Sequence, residues 1–216
     1  MNNSRWTIAY GRWCKGYGVW LFVVAVMIVP FTAFGIVKWY EQNFTQLPVL
    51  GPPKHTIADF NMKNQYGATM SSIAWENKII IADFFFTHCP VVCPKMTRSL
   101  KKVQQQFAGE KELLITSFTV DPLRDSIAQL SSYAIKMDIR DNWLLLTGEK
   151  KEIYKLARKS FLVVATDGDG GPDDFIHSEL LVLLDKQKRI RGYYNGTDGE
   201  DVDKLILDVR RLQREY

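Results

Sequence analysis

The sequence predicts an α/β domain carried behind a single membrane-spanning helix, and two observations predict it. From residue 79 onward, apolar runs of strand length alternate with segments whose apolar residues recur at helical spacing, the pattern of a layered α/β sheet. Ahead of them, Gly18 to Val37 carries no formal charge, and at ~1.5 Å per residue such a stretch crosses a hydrocarbon layer of roughly 30 Å. The chain has 216 residues, so what the membrane leaves suits one domain with a complete core. Its formal net charge of +4 comes from 28 basic and 24 acidic residues spread along the sequence, which gives no case for nucleic-acid binding.

The apolar stretch sets the boundaries: a cytoplasmic tail over residues 1–17, a membrane anchor over 18–40, a tether over 41–53 and the folded domain over 54–216. Trp20 at one end and Trp39 with Tyr40 at the other are placed as interfacial aromatics, and Pro30 is tolerated because spanning helices accept kinks. A buried core helix is the alternative by length alone. Cleavage as a secretory signal is the other, but the run exceeds the ~7–15 residues of a signal core and no small-x-small site follows it cleanly, so a retained anchor is expected. Arg5, Arg12 and Lys15 precede it without an acidic residue, whereas Lys38 is soon followed by Glu41. The positive-inside bias then leaves the N-terminus in the cytoplasm and the domain outside. The leading segment lacks the long Arg- and Ser-rich stretch of a mitochondrial presequence, so a bacterial inner membrane is expected, with the mitochondrial inner membrane as the alternative. Cys14, at the cytoplasmic edge, reads as an ordinary reduced thiol.

Pro48, Gly51, Pro52 and Pro53 mark the tether as extended chain. His55 to Phe60 and Thr69 to Ile73 flank the turn-rich Asn64-Gln65-Tyr66-Gly67, predicting a small hairpin, and Ile79 to Phe86, interrupted only by Asp83, predicts a strand buried on both faces. Pro94 at a first-turn position, then Met96, Leu100, Val103 and Phe107, predict a helix. The alternation continues with a strand over Leu113 to Val120, a helix over Ser126 to Met137, a strand over Trp143 to Leu146 and a helix over Lys150 to Phe161. Glu179 to Leu184 and Ile190 to Tyr194 pair as a hairpin, and Val202 to Arg214 closes the chain as an amphipathic helix.

Beyond the anchor there are only two cysteines, in Cys89-Pro90-Val91-Val92-Cys93, where the buried strand hands over to the helix. Positions i and i+4 share one face of a helical turn, and the helix N-terminus favours thiolate over thiol. Such a pair can close into a disulfide or clasp a soft metal ion such as Cu(I). A permanent staple of an exported domain is also open, although so small a loop constrains little chain entropy.

Three segments together resemble the SCO/SenC family of copper-binding, thioredoxin-like cytochrome c oxidase assembly proteins: Phe86-Thr87-His88-Cys89-Pro90-Val91-Val92-Cys93-Pro94, Thr119-Val120-Asp121-Pro122-Leu123-Arg124-Asp125, and Phe175-Ile176-His177-Ser178. The resemblance runs from about Leu50 to about Leu212 and extends to the N-terminal anchor. It implies a thioredoxin-like fold, a central mixed sheet flanked by helices, preceded by one transmembrane helix. It implies a copper site formed by Cys89, Cys93 and His177, and disulfide exchange by the two thiols. Two thiolates and one imidazole suit Cu(I), and the same set with an added ligand accommodates Cu(II). Val91 stands where many members have Asp, and Asp174-Phe175-Ile176 puts an apolar residue where an acidic one is common beside the His. These departures bear on affinity and redox potential rather than on the ligands.

The other candidates read as structural. His88 is expected to point away from its neighbour Cys89 along an extended backbone, and His55 to face solvent. Asp121, Arg124 and Asp125 lie at a strand end where α/β sites gather, as bias on the site or as a local cap and ion pair. Asp167 to Asp174 looks like a calcium loop, but Pro172 takes the glycine position and Ser178 that of the bidentate Glu. Met70 and Met96 are soft donors, with Met96 on the apolar helix face. Two functions follow. One is a metallochaperone handing copper, received from other copper carriers, to the oxidase subunit that carries the copper centre; the other is a thiol:disulfide oxidoreductase keeping that subunit's ligand cysteines reduced. Cys-x-x-x-Cys spacing and His177 favour the first. A third reading, a peroxidase-like redoxin, is the weakest.

Overall fold

The computed structural model describes residues 14–44, 46–140, 142–164, 176 and 178–216, and the chain divides into two units, an N-terminal one and Gln46–Tyr216. The first contains helix α1, Cys14–Phe44. Its stretch Gly18–Tyr40 has the length and apolar composition to cross a membrane, and none of its side chains is buried within the protein. Pro30 lies inside the helix, and close by the Thr32 hydroxyl donates to the Ile28 and Val29 carbonyls.

The second unit is built on one seven-stranded sheet in the order β2-β1-β5-β4-β3-β6-β7. The strands are β1 Asn61–Asn64, β2 Thr69–Ser71, β3 Ile79–Phe85, β4 Leu113–Thr119, β5 Trp143–Thr147, β6 Leu180–Leu184 and β7 Ile190–Asn195. The central strands β3, β4 and β5 run parallel, and β1, β2, β6 and β7 add antiparallel edges. Between them lie α2 Val92–Gln106, α3 Ile127–Met137 and α4 Lys150–Lys155, which continues into a π turn at Leu156–Ser160; α5 Gly199–Glu215 ends the chain.

Strand β3 explains the layering. Ile79, Ile81 and Phe85 face one core, shared with Met96, Leu100 and Val103 of α2, Leu130 of α3 and Leu205 and Val209 of α5. Ile80, Ala82 and Phe84 face the other, shared with Ile153 and Tyr154 of α4 and with Trp75, Phe118 and Phe161. That second core is largely aromatic, with Phe84 stacked on Phe118 at 5.4 Å and Phe161 edge-on to Phe84 at 5.3 Å. Helix starts agree with their sequences: the Ser126 hydroxyl accepts from Gln129 N, and Asp198 accepts from Glu200 N.

Three expectations are revised. The first strand of the hairpin is Asn61–Asn64 rather than His55 to Phe60. Asn64 builds the turn by accepting from Tyr66 N and Ala68 N at 3.0 Å, with Gly67 at φ 78°, whereas Ile57 and Phe60 are core residues without a strand ladder. His55 does not face solvent freely; its Nε2 lies 2.7 Å from the Ser160 carbonyl. The tether is not extended free chain through 53, because α1 continues to Phe44 and Leu47 and Pro48 are clasped by the domain. Arg191, 4% exposed, donates to the Leu47 and Pro48 carbonyls, to Asp185 and to Glu215, and Glu215 accepts from Leu47 N. Leu50 then bridges to Ile190. Ile190 shares a row with Leu184 and Ile80, so the chain joins the sheet at the end where β3 begins.

Asp83 is the one polar residue of β3 and is 2% exposed. Burial pushes its carboxyl up to about 7, against the lowering effect of the Ser117 hydroxyl that donates to it. Trp143 Nε1 in turn donates to Ser117 Oγ at 2.8 Å. The folded state therefore holds a proton that the unfolded chain releases above about pH 4, and raising the pH through 7 removes stability. From pH 4 to pH 8 the metal-free, reduced protein should lose about 4 kcal/mol relative to its Asp83→Asn variant. Parallel urea-denaturation profiles for the two proteins across that range would refute a buried, protonated Asp83.

Candidate metal centre

The junction between β3 and α2 occupies residues 86–91. A buried strand on one side and a helix pinned by Met96, Leu100 and Val103 on the other fix both its ends. Within it, Cys89 N donates to the Phe86 carbonyl at 3.4 Å, a tight turn that aims the Cys89 side chain at the start of α2. The residue before that helix is Val91, which offers no side-chain cap. The sulfur of Cys89 fills the role: Cys93 N donates to it at 3.2 Å.

The two thiols are free, and their environments differ. Burial raises the Cys89 thiol, but the N–H groups of Cys93, Val91 and Val92 and the Cys93 side chain outweigh it and hold the group below the ordinary cysteine range. Cys93 is 5% exposed. Burial pushes its thiol up to about 12, with Cys89 and the buried Asp83 adding to the rise. One sulfur is prepared as a thiolate and the other is kept as a thiol until something replaces its proton.

Both sulfurs border a cavity of about 380 Å³ whose wall is mainly apolar, with Phe84, Phe86 and Ile176 among its residues. Ser178 lines it as well. His177 lies outside the described residues, as does the loop 167–174; the residues on either side of His177 are both at the wall of the cysteine cavity. Ile176 is 2% exposed, and its N–H donates to the Tyr154 hydroxyl at 3.4 Å, which itself donates to the Val120 carbonyl at 3.0 Å. Among the described residues no cluster of three His, Cys, Asp or Glu side chains is placed to hold a metal ion. The donor set within them is thus a dithiol, a soft pair matched to Cu(I).

Of the remaining candidates, Met96 is a core residue at 1% exposure, and Met70 is partly buried beside the aromatic core. His88 has a side chain 56% exposed, with Nδ1 3.0 Å from Thr87 Oγ1 and 3.8 Å from Asp125. The exposed Arg124 pairs with the half-buried Asp121 at 3.7 Å. Sequence reasoning passed over two residues: Asp83, whose signal was a lone acid in a buried strand, and Tyr154, which carries none; Asp125, expected to bias the site or to form a local cap or ion pair, is fully buried.

The family model described as SCO1/SenC matches residues 50–214. The chain is 32% identical over 162 residues to the SCO1 protein homolog of Bacillus subtilis (strain 168), which covers 74% of this chain and 83% of that protein. It is similar in structure to BsSco, described as a member of the Sco family of cytochrome c oxidase assembly proteins and as having a disulfide switch, with TM-score 0.64, 31% identity and coverage of 78% of this chain and 98% of that one. Yeast Sco1 with copper bound gives TM-score 0.56 at 26% identity, covering 72% of this chain and 89% of that one. The mixed sheet flanked by helices matches these structures, so the expected thioredoxin-like fold is the one observed.

The unequal thiols should be measurable directly. In the metal-free, reduced protein at about pH 7.5, iodoacetamide should label Cys89 on the order of tenfold or more faster than Cys93, because thiolate fraction and access both favour it. Peptide mapping by mass spectrometry reads the ratio, and equal rates would contradict the assignment.

Proposed function

Because the chain belongs to the SCO1/SenC family, we propose that it is a membrane-anchored copper carrier that serves assembly of the copper centre of cytochrome c oxidase. The observation that carries the reading is the pair of free thiols at one cavity, one of them stabilised as a thiolate by the first-turn N–H groups of α2. Cys89, Cys93 and His177 are the ligands in this reading. It is supported for His177 by the placement of Ile176 and Ser178 at the cysteine cavity, and by two thiolates with an imidazole being a set suited to Cu(I) and, with one further ligand, to Cu(II).

Copper is the cargo. Cys89 meets it first, being the more exposed and more readily ionised thiol, and Cys93 joins after giving up its proton. Handover follows by ligand exchange with a recipient's own thiols, the first contact again falling on Cys89. Residues 18–40 anchor the protein, 1–17 remain cytoplasmic, and 54–216 act on the opposite side of a bacterial inner membrane, a sidedness supported by Arg5, Arg12 and Lys15 ahead of the anchor. The thiol pair is also competent for disulfide exchange, which the experiment below separates from metal carriage.

The full chain in detergent, reduced and loaded anaerobically with Cu(I), should retain about one copper after desalting. Each of Cys89→Ala, Cys93→Ala and His177→Ala should weaken binding on the order of 10-fold or more against a competing chelator. No retained copper together with rapid reduction of a disulfide substrate would make the protein a tethered thiol reductase. Unchanged affinity in His177→Ala would remove the third ligand.

A further inference from the structure

The loop that carries Cys89 has little structure of its own. Within it Cys89 N donates to the Phe86 carbonyl at 3.4 Å. A side chain from a different element holds it as well. Asp125 is 0% exposed, in the connection between β4 and α3. One of its carboxylate oxygens accepts from Thr87 Oγ1 at 2.5 Å; the other accepts from Thr87 N at 3.1 Å and from Thr119 Oγ1 at 2.5 Å. Thr87 Oγ1, having donated to Asp125, accepts from Gln129 Nε2 of α3 at 3.0 Å.

We infer that Asp125 is the positioning residue of the metal centre: through Thr87 it clamps the loop two residues before Cys89 to the ends of β4 and α3, and so sets where the Cys89 sulfur sits relative to Cys93. Asp125 itself is fixed by its N–H on the Asp121 carbonyl at 2.9 Å, and Asp121 N is held by Thr119 Oγ1 at 3.1 Å. The loop is therefore referenced to the sheet. A buried carboxylate that accepts from three donors through both oxygens has an isostere in Asn, but one with a single acceptor oxygen. In Asp125→Asn only one acceptor oxygen remains where the carboxylate had two, so either Thr87 Oγ1 or the pair Thr119 Oγ1 and Thr87 N–H loses its charged acceptor. With the clamp gone, the Cys89 sulfur is no longer held at its 3.2 Å contact with Cys93 N, so its reactivity changes and a metal held by both sulfurs loses its fixed geometry.

This inference rests on the copper reading for its function, and its test keeps the two apart. Thr87→Val, Thr87→Ser and Asp125→Asn are compared with the unaltered full chain in detergent by two readouts. In the metal-free protein, Cys89 alkylation at about pH 7.5 should slow at least about threefold in Thr87→Val and Asp125→Asn, while Thr87→Ser, which keeps the hydroxyl, matches the parent. In the Cu(I)-loaded protein, transfer to bathocuproine disulfonate should accelerate on the order of 10-fold in the same two variants and not in Thr87→Ser. If the parent holds no copper, the copper reading fails and the alkylation rates alone decide the clamp. If Asp125→Asn does not fold, as circular dichroism will show, the Thr87 pair decides it. Thr87→Val matching the parent in alkylation, or Thr87→Ser behaving like Thr87→Val, overturns the inference.

Discussion

The first-turn N–H groups of α2 have no side-chain acceptor from Val91, and the sulfur of Cys89 takes that place. Much of the site's chemistry follows from that contact. Four N–H groups at a helix start need acceptors, and a thiolate is a charged one that the helix dipole also favours. The turn that delivers the sulfur exists because β3 is buried on both faces and cannot extend further, while α2 is fixed by its apolar stripe. Rigid elements on both sides place the loop ends, and the loop in between is short enough to be governed by a few hydrogen bonds.

The contrast between the two thiols comes from the same arrangement. Cys93 is one helical turn further in, on the face of α2 that packs against β3, where Asp83 also points. A thiol in that position resists ionisation, so the pair does not carry two negative charges at rest. A soft cation, or a bond between the sulfurs, is what makes loss of the second proton favourable.

Much of this was legible in the sequence because it is local. The β3 run, the spacing of Met96, Leu100 and Val103 and the cysteine pair are contiguous patterns, and the structure has them within a residue or two of where the patterns end. What the sequence hid depends on residues far apart along the chain. His55 to Phe60 resembles a strand, yet Ile57 N bonds to the Lys188 carbonyl and His55 reaches Ser160; those partners cannot be guessed from the segment. Asp125 reads as one of three charged residues at a strand end, and its partner Thr87 lies 38 residues away along the chain. Arg191, one of the basic residues spread along the sequence, is a buried hub whose partners Asp185 and Glu215 the sequence does not join to it.

That hub has a mechanical meaning. By clasping Leu47 and Pro48 against Asp185 and Glu215, Arg191 makes the chain enter the domain where β3 begins, whereas Cys89 follows the end of β3. Seven residues of strand at ~3.3 Å each put roughly 20 Å of rigid sheet between the two. The point where the chain is clasped and the sulfurs therefore lie at opposite ends of one buried strand, so neither set of contacts shares a residue with the other.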